Sequence, residues 1–287
     1  MKILLIGKTG QLGSSILAEP RGHSIIAPGR DELDIENSNS LCVAINNYSP
    51  DVVINTAAFH NLPLCETAPV RAFGVNCVAV KELAALCKQR DTLLVTFSTD
   101  YVFDGSKGSP YVEDDCPRPL QIYGITRLAG ELAAAALAPN HSIVIRTCGL
   151  YGMDGALSKG GNFVDKRIAD AAGGGPIEMG CDQRVSPTFT DDLAEAVLKL
   201  IEKPNRLSGL YHLVNEGECT WHEFTQAIYE EAGINVEVRP VDRKGLSGEM
   251  RRPLYSVLEN TKARALGITL PSWRDGLQRY MAKKYGK

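Results

Sequence analysis

The chain has 287 residues, of which 44% are hydrophobic and 23% charged, so it can bury a large core and has ordinary globular composition. This composition excludes collagen-like, low-complexity and disordered chains. The 31 basic and 34 acidic residues nearly balance, so no overall field draws the chain to nucleic acid or to an anionic membrane. Its apolar runs, such as residues 1–7, are shorter than the roughly 20 residues that a bilayer span needs. We therefore expect neither nucleic acid nor a membrane among its partners.

The cysteines and histidines give no sign of a metal site. Eight cysteines are spread without a C-x-x-C pair, which is typical of reduced thiols in a cytoplasmic protein. None of the five histidines stands at metal-ligand spacing from another or from a cysteine. Asp191 and Asp192 are candidates for a divalent ion, but such a pair more often begins a helix. We expect a cytoplasmic protein without a bound metal.

In the first half of the chain, short apolar runs alternate with longer helical patterns, which indicates βαβ units around a parallel sheet. The runs are continuously apolar, as expected for strands that are covered on both faces. The apolar start is interpreted as the first strand rather than as a secretion signal. The fold class predicted is a doubly wound α/β sheet. Its strands are predicted at 2–6, 24–27, 52–55, 93–97 and 142–146, and its helices at 11–19, 38–48, 65–88 and 123–138.

Past residue 147 the pattern becomes less regular, and glycine-rich stretches separate the predicted elements. Helices are predicted at 163–172 and 191–202, and a strand at 209–214. Thr220 and Glu223 form a capping-box pattern that opens a helix to about residue 232. Asn260 and Gly267 are predicted to bracket a short helix as its N-cap and its C′ residue.

Three glycines follow the first predicted strand and lead into the first predicted helix. A dinucleotide pyrophosphate needs this arrangement: backbone that it can approach closely, and helix N-terminal N–H groups aimed at its negative charge. Glycines alone are weak evidence because any tight turn uses them, but the strand and helix around them favour a Rossmann-type cofactor site. The cofactor-binding candidates in this segment are Gly7, Thr9, Gly10, Gln11, Leu12 and Gly13.

The type of cofactor is read at the end of the second strand, where NAD enzymes carry an acidic residue for the ribose 2′-hydroxyl. Here the chain has Arg30, whose guanidinium suits a 2′-phosphate and favours NADP(H). Asp31 follows it and would serve the ribose of NAD(H), and Arg30 can also be a solvated loop residue. The sequence therefore favours NADP(H) and leaves NAD(H) open.

Polar side chains follow the fourth predicted strand in the segment S-T-D-Y-V-F-D-G, residues 98–105. They lie at the carboxyl edge of the sheet, where ligands of such folds bind. Downstream, Tyr123 and Arg127 stand one helical turn apart and share a helix face. A hydroxyl, a phenol and a cation are thus expected to meet beside the cofactor.

The sequence resembles the extended short-chain dehydrogenase/reductases and, within them, the dTDP-4-dehydrorhamnose reductase family. The resemblance runs along nearly the whole chain and rests on ordered motifs in both halves. These are the glycine loop, Leu33-Asp-Ile35, the segments 50–58 and 98–105, Tyr123-Gly-x-Thr-x-Leu-Ala-Gly-Glu131, Asn162-Phe163, Asp182-Gln183, Pro187-Thr188, residues 209–214, Thr220-Trp221, Arg251-Arg252-Pro253 and Leu270-Pro-x-Trp273.

The resemblance implies an NADPH-dependent oxidoreductase that reduces a 4-keto-6-deoxy nucleotide sugar, most simply dTDP-4-dehydro-L-rhamnose to dTDP-L-rhamnose. It implies that Tyr123 donates the proton, that Thr99 hydrogen-bonds the substrate oxygen, and that Arg127 stands at the family's lysine. Tyr123 and Arg127 also contact the cofactor in this scheme. The family motifs add four cofactor-binding candidates and five substrate-binding candidates. These are Asp34, Ile35, Ala57 and Ala58 for the cofactor, and Asp100, Tyr101, Asn162, Arg251 and Arg252 for the substrate.

The resemblance also divides the chain. Residues 1–148, together with about 185–215, are predicted to form the dinucleotide-binding domain. Residues 149–184 and 216–287 are predicted to form a smaller C-terminal substrate-binding lobe. A homodimer is compatible with the sequence but is not determined by it.

The chain departs from the family pattern at three places. Arg127 replaces a lysine and cannot pass on a proton near neutral pH. Gly149 stands where family members commonly carry tryptophan, which removes a flat wall from the expected sugar pocket. The stretch Leu62-Pro-Leu-Cys-Glu66 lacks two charged groups of the family pattern.

Two other functions stay open at this stage. A nucleotide-sugar epimerase or dehydratase of the same superfamily would carry the same fold and the same tyrosine. A non-catalytic, dinucleotide-binding regulatory subunit would tolerate the replacement at Arg127.

Overall fold

The computed structural model describes residues 1–154, 161–247 and 250–286. Helices and short strands follow one another along the whole chain. The strands in chain order are β1 (Lys2–Ile6), β2 (Ser24–Ile26), β3 (Val52–Asn55), β4 (Leu93–Thr99), β5 (Ser142–Thr147), β6 (Leu150–Tyr151), β7 (Ile177–Gly180), β8 (Arg184–Val185), β9 (Thr188–Phe189), β10 (Gly209–His212), β11 (Cys219–Thr220), β12 (Val238–Val241), β13 (Leu246–Ser247) and β14 (Met250–Arg251). The helices are α1 (Gln11–Ala18), α2 (Ser38–Tyr48), α3 (Leu62–Thr67), α4 (Pro69–Phe73), α5 (Ala79–Gln89), α6 (Ile122–Leu137), α7 (Phe163–Ala171), α8 (Thr190–Ile201), α9 (Trp221–Ala232), α10 (Thr261–Ala265) and α11 (Trp273–Tyr285).

A six-stranded sheet with the order β10-β5-β4-β3-β1-β2 forms the centre of the fold, and all its strand pairs are parallel. Side chains of one strand alternate between two separate clusters. Ile3 and Leu5 pack in the cluster on one face, whereas Leu4 and Ile6 pack in the cluster on the other. Both faces are therefore buried, which explains the continuous apolar runs and confirms the predicted doubly wound sheet.

The order of the strands positions the site. β1 pairs with β2 on one side and with β3 on the other, so the chain reverses its winding direction between these strands. Loops that leave the carboxyl ends of β1 and β3 diverge to opposite faces and open a crevice between them. The glycine loop follows β1, and the segment Thr56–Phe59 follows β3.

The helix predicted over 65–88 is interrupted. α3 ends at Thr67, Ala68 leaves the helical region, and Pro69 begins α4. Proline lacks an N–H group and disfavours helical backbone in the residue before it, so it suits a first helical position. The π-helical turn Gly74–Val78 then joins α4 to α5. The break therefore separates α3 from α4, whereas the backbone stays helical from α4 through the π-helical turn into α5.

The second half of the chain packs largely around an aromatic cluster that sequence patterns did not predict. Tyr151, Phe189, Phe224 and Tyr280 stack and cross at ring-centroid distances of 5.3–5.8 Å. Helix α11, which supplies Tyr280, was not predicted. Its mean hydropathy is low because only a narrow stripe of the helix is buried.

The short helix α10 differs from the prediction at its beginning. Asn260 precedes the helix, but its side chain forms no cap and instead bonds the backbone N–H and C=O of Val214 at 3.0 and 2.8 Å. Gly267 has the expected left-handed backbone, with a φ of 74°. The Asn260 side chain thus bonds the buried backbone just after β10 instead of capping α10.

The division into two domains stays a prediction. Helix α8 and strand β10 pack in the same cluster as the sheet, in agreement with their predicted domain. Ala263, Ile268 and Leu270 pack in that cluster as well, although the prediction assigns them to the substrate lobe. Within the described residues, no helix is long and apolar enough to cross a membrane.

We predict that a buried histidine makes the protein acid-sensitive. Burial, and secondarily the charge of Arg146, lowers the pKa of His212 from 6.5 to about 3. Between these values the unfolded chain binds a proton that the folded chain does not. The free energy of unfolding should therefore fall as the pH drops below about 6.5, by up to about 1.4 kcal/mol per pH unit from this group.

The His212→Asn variant tests this prediction because its amide can still donate to the Tyr111 carbonyl, which His212 Nδ1 contacts at 3.1 Å. Denaturant unfolding between about pH 4 and 7 should show a shallower acid limb for the variant than for the wild type. An imidazole NMR signal of His212 that titrates near pH 6.5 would contradict the prediction.

Candidate functional site

Two glycines of the loop after β1 are required by the packing of the protein itself. Gly7 has a φ of +93°, and a Cβ there would lie 2.5 Å from Thr56 Oγ1. A Cβ on Gly13 would lie 2.2 Å from the carbonyl oxygen of Gly7. These positions hold the loop close to β3 and the helix close to the loop.

The described packing of the protein does not require a glycine at position 10. Its backbone is extended, with a φ of −81° and a ψ of 163°, and the nearest atom to a Cβ there is 3.4 Å away. It caps α1 without a side-chain hydrogen bond, and the first turn of α1 carries no acidic residue. The first-turn N–H groups are thus available to an anion, and a bare Gly10 leaves its approach open. This observation fits the pyrophosphate of a dinucleotide.

The remaining residues of this loop contribute differently. Thr9 is exposed at the cleft, and Gln11 has a buried Oε1 without a partner among the described residues. Leu12 was predicted as a cofactor-binding residue, but its side chain packs in the sheet core. Because that side chain faces away from the loop, only the backbone of Leu12 is available to a ligand.

A cleft of about 230 Å³ opens at the switch point between β1 and β3. It brings together seven of the predicted cofactor candidates from three separate segments of the chain, whereas Gly10, Gln11, Leu12, Gly13, Tyr123 and Arg127 do not line it. The residues that line it are Ile6, Gly7, Lys8, Thr9, Pro28, Gly29, Arg30, Leu33, Asp34, Ile35, Glu36, Ala57, Ala58, Phe59, Arg71 and Val75. Asp31, the alternative partner for a ribose, is not among them.

The far end of the cleft carries charges that sequence reasoning missed. Glu36 forms ion pairs with Arg30 at 2.9 Å and with Arg71 at 3.3 Å. Arg71 lies on α4, far from Arg30 in sequence, and no local motif marks either it or Glu36. Because Arg71 and Glu36 lie 35 residues apart and meet only through tertiary contacts, no sequence signal could have paired them.

The predicted catalytic tyrosine lies at the beginning of α6, against the end of β4. A Cβ on Gly124 would lie 2.2 Å from the carbonyl oxygen of Tyr101, so a glycine allows this close approach. The rings of Tyr101 and Tyr123 meet edge to face at a centroid distance of 6.4 Å. The Arg127 guanidinium carbon lies 5.9 Å from the centroid of the Tyr123 ring.

Opposing effects act on the Tyr123 phenol. Burial raises its pKa above the ordinary value of 10, while the Arg127 charge lowers it. Burial dominates, so the phenol is protonated at neutral pH and retains a proton to donate. The cation acts in the direction expected from the sequence, but it does not bring the pKa below 10 in this structure.

Arg127 is buried, and its Nε has no hydrogen-bond partner among the described residues. Glu131 lies one helical turn farther along α6 and would be its natural ion-pair partner. Instead, Glu131 accepts two hydrogen bonds from Arg146 on β5, at 2.9 and 2.7 Å, and both partners are buried. A buried cation without a carboxylate is costly unless a ligand satisfies it. Arg127 is therefore available to a cofactor or a substrate.

Thr99 is buried beside this pair and caps a short 3₁₀ turn. Its hydroxyl contacts Asp100 Oδ1 at 3.0 Å and accepts from the backbone N–H of Tyr101 at 3.2 Å. A hydroxyl has one proton, and Thr99 donates it to the Asp100 carboxylate. Thr99 can therefore only accept a further hydrogen bond, through its remaining lone pair. The sequence expectation of a bond to the substrate oxygen therefore needs Thr99 to turn its proton away from Asp100.

Asp100 was predicted as a substrate-binding residue, but it is buried and shared among side chains. Its carboxylate accepts from Ser256 at 2.6 Å and from the thiol of Cys148 at 3.2 Å, besides Thr99. Burial raises its pKa, and these hydrogen bonds oppose the rise. Its contacts indicate that it positions Thr99 rather than binds a ligand.

The other predicted substrate residues separate into two groups. Arg252 lies close enough to Tyr101 for its charge to lower the pKa of that phenol, although burial raises it more. Arg251, its neighbour, is exposed on β14. Asn162 is a buried N-cap: it accepts from the N–H of Asp165 and donates to Gly152 O and Tyr280 Oη. These bonds use both N–H groups and one lone pair of its amide, so they give the side chain a structural role, and its binding of substrate stays a prediction.

The acidic pair at the start of α8 is used internally. Asp192 pairs with Arg279 at 2.7 Å, and Asp191 pairs with Lys283 at 2.8 Å. Among the residues that the structure describes, no group of three or more histidine, cysteine, aspartate or glutamate side chains is arranged to hold a metal ion. Both aspartates instead tie α8 to α11.

Gly149 has left-handed backbone, with a φ of 57°, and a Cβ there would lie 3.2 Å from Pro187 Cα and 3.4 Å from Cη2 of Trp221. The indole of Trp221 therefore approaches the place that a side chain at 149 would take. Aromatic surface is present at this position, although the sequence suggested that it was lost.

Comparisons with known proteins agree with this geometry. The family model of the RmlD substrate binding domain matches residues 1–285. The chain is 34% identical over 285 residues to the spore coat polysaccharide biosynthesis protein SpsK of Bacillus subtilis, covering 99% of this chain and 98% of that protein. It is 32% identical over 290 residues to the dTDP-4-dehydrorhamnose reductase of Sinorhizobium fredii, covering 97% and 96%. The crystal structure of dTDP-4-dehydrorhamnose reductase from Bacillus anthracis in complex with NADP matches with a TM-score of 0.91 and 32% identity, over 98% of this chain and 99% of that one.

We predict that Gly10 and Gly13 fail in different ways when replaced by alanine. Gly13→Ala forces a Cβ against a backbone oxygen and should destabilise the fold by about 1–3 kcal/mol. Gly10→Ala should cost less than about 1 kcal/mol, because the protein leaves room for it, but should weaken dinucleotide binding about tenfold or more. Thermal unfolding and calorimetric titration measure the two effects. Full dinucleotide affinity in a folded Gly10→Ala variant would contradict the assignment of this loop.

Proposed function

This chain belongs to the family of the RmlD substrate binding domain, and from that premise we propose that it is an NADP-dependent oxidoreductase that reduces dTDP-4-dehydro-L-rhamnose to dTDP-L-rhamnose. The observation that carries the proposal is the meeting of a protonated Tyr123 and a buried Arg127, whose Nε has no partner among the described residues, at the carboxyl edge of the sheet. The glycine loop and the cleft at the switch point between β1 and β3 fit the cofactor.

The chain's own residues then have separate tasks. NADPH, when bound, supplies the hydride that the carbonyl carbon of the sugar receives. Tyr123 gives its phenolic proton to the carbonyl oxygen as negative charge develops there. Arg127 stabilises the phenolate that remains and offers N–H donors to the cofactor, and the backbone around Gly10 and the N-terminus of α1 bind the pyrophosphate.

Regeneration of the phenol differs from a lysine-assisted scheme. A guanidinium does not pass on a proton near neutral pH, so Arg127 orients and stabilises without taking part in proton transfer. Tyr123 must recover its proton from solvent or through Thr99. We therefore assign the catalytic roles to Tyr123, Arg127 and Thr99, with Asp100 as the residue that positions Thr99.

For the substrate, we propose that Arg252 faces the diphosphate of the nucleotide carrier, since a guanidinium suits an anionic phosphate. Tyr101 and the indole of Trp221 would then line the sugar pocket. Arg251 is exposed and would act only at the rim. The close packing of Gly105 against Pro253 supports this arrangement, because it brings the segment after β4 against the residue that directly follows the two arginines.

A non-catalytic, dinucleotide-binding subunit is the second candidate, and the arginine at position 127 is the observation that favours it. Such a protein would bind the cofactor without turnover. An epimerase or dehydratase would instead regenerate its cofactor within each cycle.

We also propose a cytoplasmic homodimer. None of the eight cysteines forms a disulfide, which supports a reducing compartment. Leu64, Val70 and Leu132 are exposed on α3, α4 and α6, and Val70 is 85% exposed. Such apolar surface suits burial against a second copy. Sedimentation equilibrium that gives a monomer at micromolar concentration would contradict the dimer.

The proposed reaction is tested by mixing the protein with NADPH and dTDP-4-dehydro-L-rhamnose and following the absorbance of the reduced cofactor. We expect one NADPH to be consumed for each sugar reduced. Product formed without net NADPH consumption would identify an epimerase or dehydratase. Binding of NADPH without turnover on this or other 4-keto sugars would favour the regulatory subunit.

Replacement of the proton donor gives a second test. Tyr123→Phe should lower turnover at least about 100-fold, the usual scale for general acid catalysis, because the ring stays and the proton is lost. Its NADPH affinity, measured by calorimetry, should stay close to that of the wild type. Tyr48→Phe, on α2 outside the site, serves as the matched control. Undiminished turnover in Tyr123→Phe would remove the assigned mechanism.

A further inference from the structure

Three charged side chains meet at the end of the cofactor cleft that is formed by the residues after β2. The Glu36 carboxylate accepts a hydrogen bond from Arg30 Nη2 at 2.9 Å, and two from Arg71 Nε and Nη2, both at 3.3 Å. All three residues line the cleft. One carboxylate therefore lies between two guanidinium groups that come from different segments of the chain.

The structure fixes Arg71 in this place from two directions. Its guanidinium carbon lies 5.5 Å from the centroid of the Phe59 ring, in a cation–π contact, and Phe59 itself lines the cleft. Its backbone lies on α4, the short helix that begins at Pro69. Glu36 is held by its own backbone N–H, which donates to Asp34 Oδ1 at 3.1 Å.

Both guanidinium groups retain donors that Glu36 does not use. The side chain of Arg30 is 72% exposed and that of Arg71 is 53% exposed, whereas that of Glu36 is 28% exposed. A phosphate monoester carries more negative charge than a carboxylate and has three acceptor oxygens, so it competes well for such a pair. A single acid between two arginines is also where a ribose hydroxyl finds an acceptor.

The geometry points to Arg71 as a second 2′-phosphate-binding residue, and to Glu36 as the residue that sets the choice between NADP(H) and NAD(H). With NADPH, the 2′-phosphate takes the two guanidinium groups and Glu36 is left beside a like charge, which weakens binding. With NADH, Glu36 keeps both arginines and accepts from the ribose 2′-hydroxyl. The site therefore binds both cofactors, and Glu36 determines the ratio of the two affinities.

A different account of the same contacts is a solvated ion-pair network without a ligand. Exposed pairs of this kind contribute little to stability, and their removal changes the affinities for two cofactors equally or not at all. The two accounts differ in the ratio of the dissociation constants for NADH and NADPH, because these molecules differ only in the 2′-phosphate.

This inference rests on the proposed function, and calorimetric titration of the full chain with NADPH and with NADH tests it. Arg71→Ala should weaken NADPH binding about tenfold and change NADH binding less than about twofold, as should Arg30→Ala. Glu36→Gln should strengthen NADPH binding at least about threefold and weaken NADH binding. Glu237→Gln, which removes an acid from an exposed pair with Arg239 at 3.0 Å outside the cleft, is the matched control.

The possible results distinguish failure of the inference from failure of the proposed function. If the wild type binds both cofactors and the ratio is the same in Arg71→Ala and Glu36→Gln as in the wild type, the inference is overturned and the proposed function stands. Equal weakening of both cofactors in Arg71→Ala also overturns it, since that result assigns Arg71 to the shape of the cleft. Failure of the wild type to bind either cofactor would overturn the proposed function together with the inference. Unchanged thermal unfolding of these surface variants excludes misfolding as the cause of a change.

Discussion

The buried ion pair between Glu131 and Arg146 determines which charge is available in the site. Glu131 stands one helical turn from Arg127 and would neutralise it, but Arg146 on the neighbouring strand binds both of its carboxylate oxygens. The pair also ties α6 to β5, and breaking such a pair from one side typically costs about 3–5 kcal/mol. One interaction thus holds the catalytic helix in place and keeps Glu131 from pairing with Arg127.

Close backbone packing does the rest of the positioning. Gly124 brings the beginning of α6 against the turn after β4, and Gly130 brings its middle against the π-helical turn, where a Cβ would lie 2.3 Å from Asn76 O. The Asn76 amide donates to Thr126 at 3.0 Å and to the carbonyl of Phe59 at 2.9 Å. The helix that carries Tyr123 is therefore held against the loop that lines the cofactor cleft, and the two halves of the site share one scaffold.

Sequence patterns predicted what local chemistry determines. The apolar runs gave the strands to within a residue or two, because strands buried on both faces must be apolar throughout; the run at 52–55 is the strand Val52–Asn55. The glycine loop, Tyr123 and Arg127 could be found because their spacing along one strand and one helix places them. Helix α11 was not predicted because it buries only a narrow stripe of apolar residues. The interruption at Pro69 was not predicted because it lies inside a long helical pattern.

Contacts between distant segments could not be predicted. Nothing near Asn162 or Asn260 in sequence shows that Tyr280 or the backbone of Val214 will use their amides. Glu36 and Arg71 lie 35 residues apart in sequence and meet only in the folded chain. The hydroxyl of Thr99 donates its one proton to the carboxylate of Asp100, which is buried only in the folded chain. In these cases the residue types suggested binding or capping, but in the folded chain the side chains bond distant segments instead.

Arg127 acts as the cationic partner of Tyr123 because no carboxylate among the residues that the structure describes pairs with it. The turnover of Arg127→Ala and Arg127→Lys with saturating NADPH and dTDP-4-dehydro-L-rhamnose measures this most directly. We predict a loss of at least about 100-fold for alanine, since the phenolate loses its stabilising charge, and retained or higher turnover for lysine, which keeps the charge and adds a transferable proton. Full turnover in Arg127→Ala together with abolished turnover in Arg127→Lys would contradict the account.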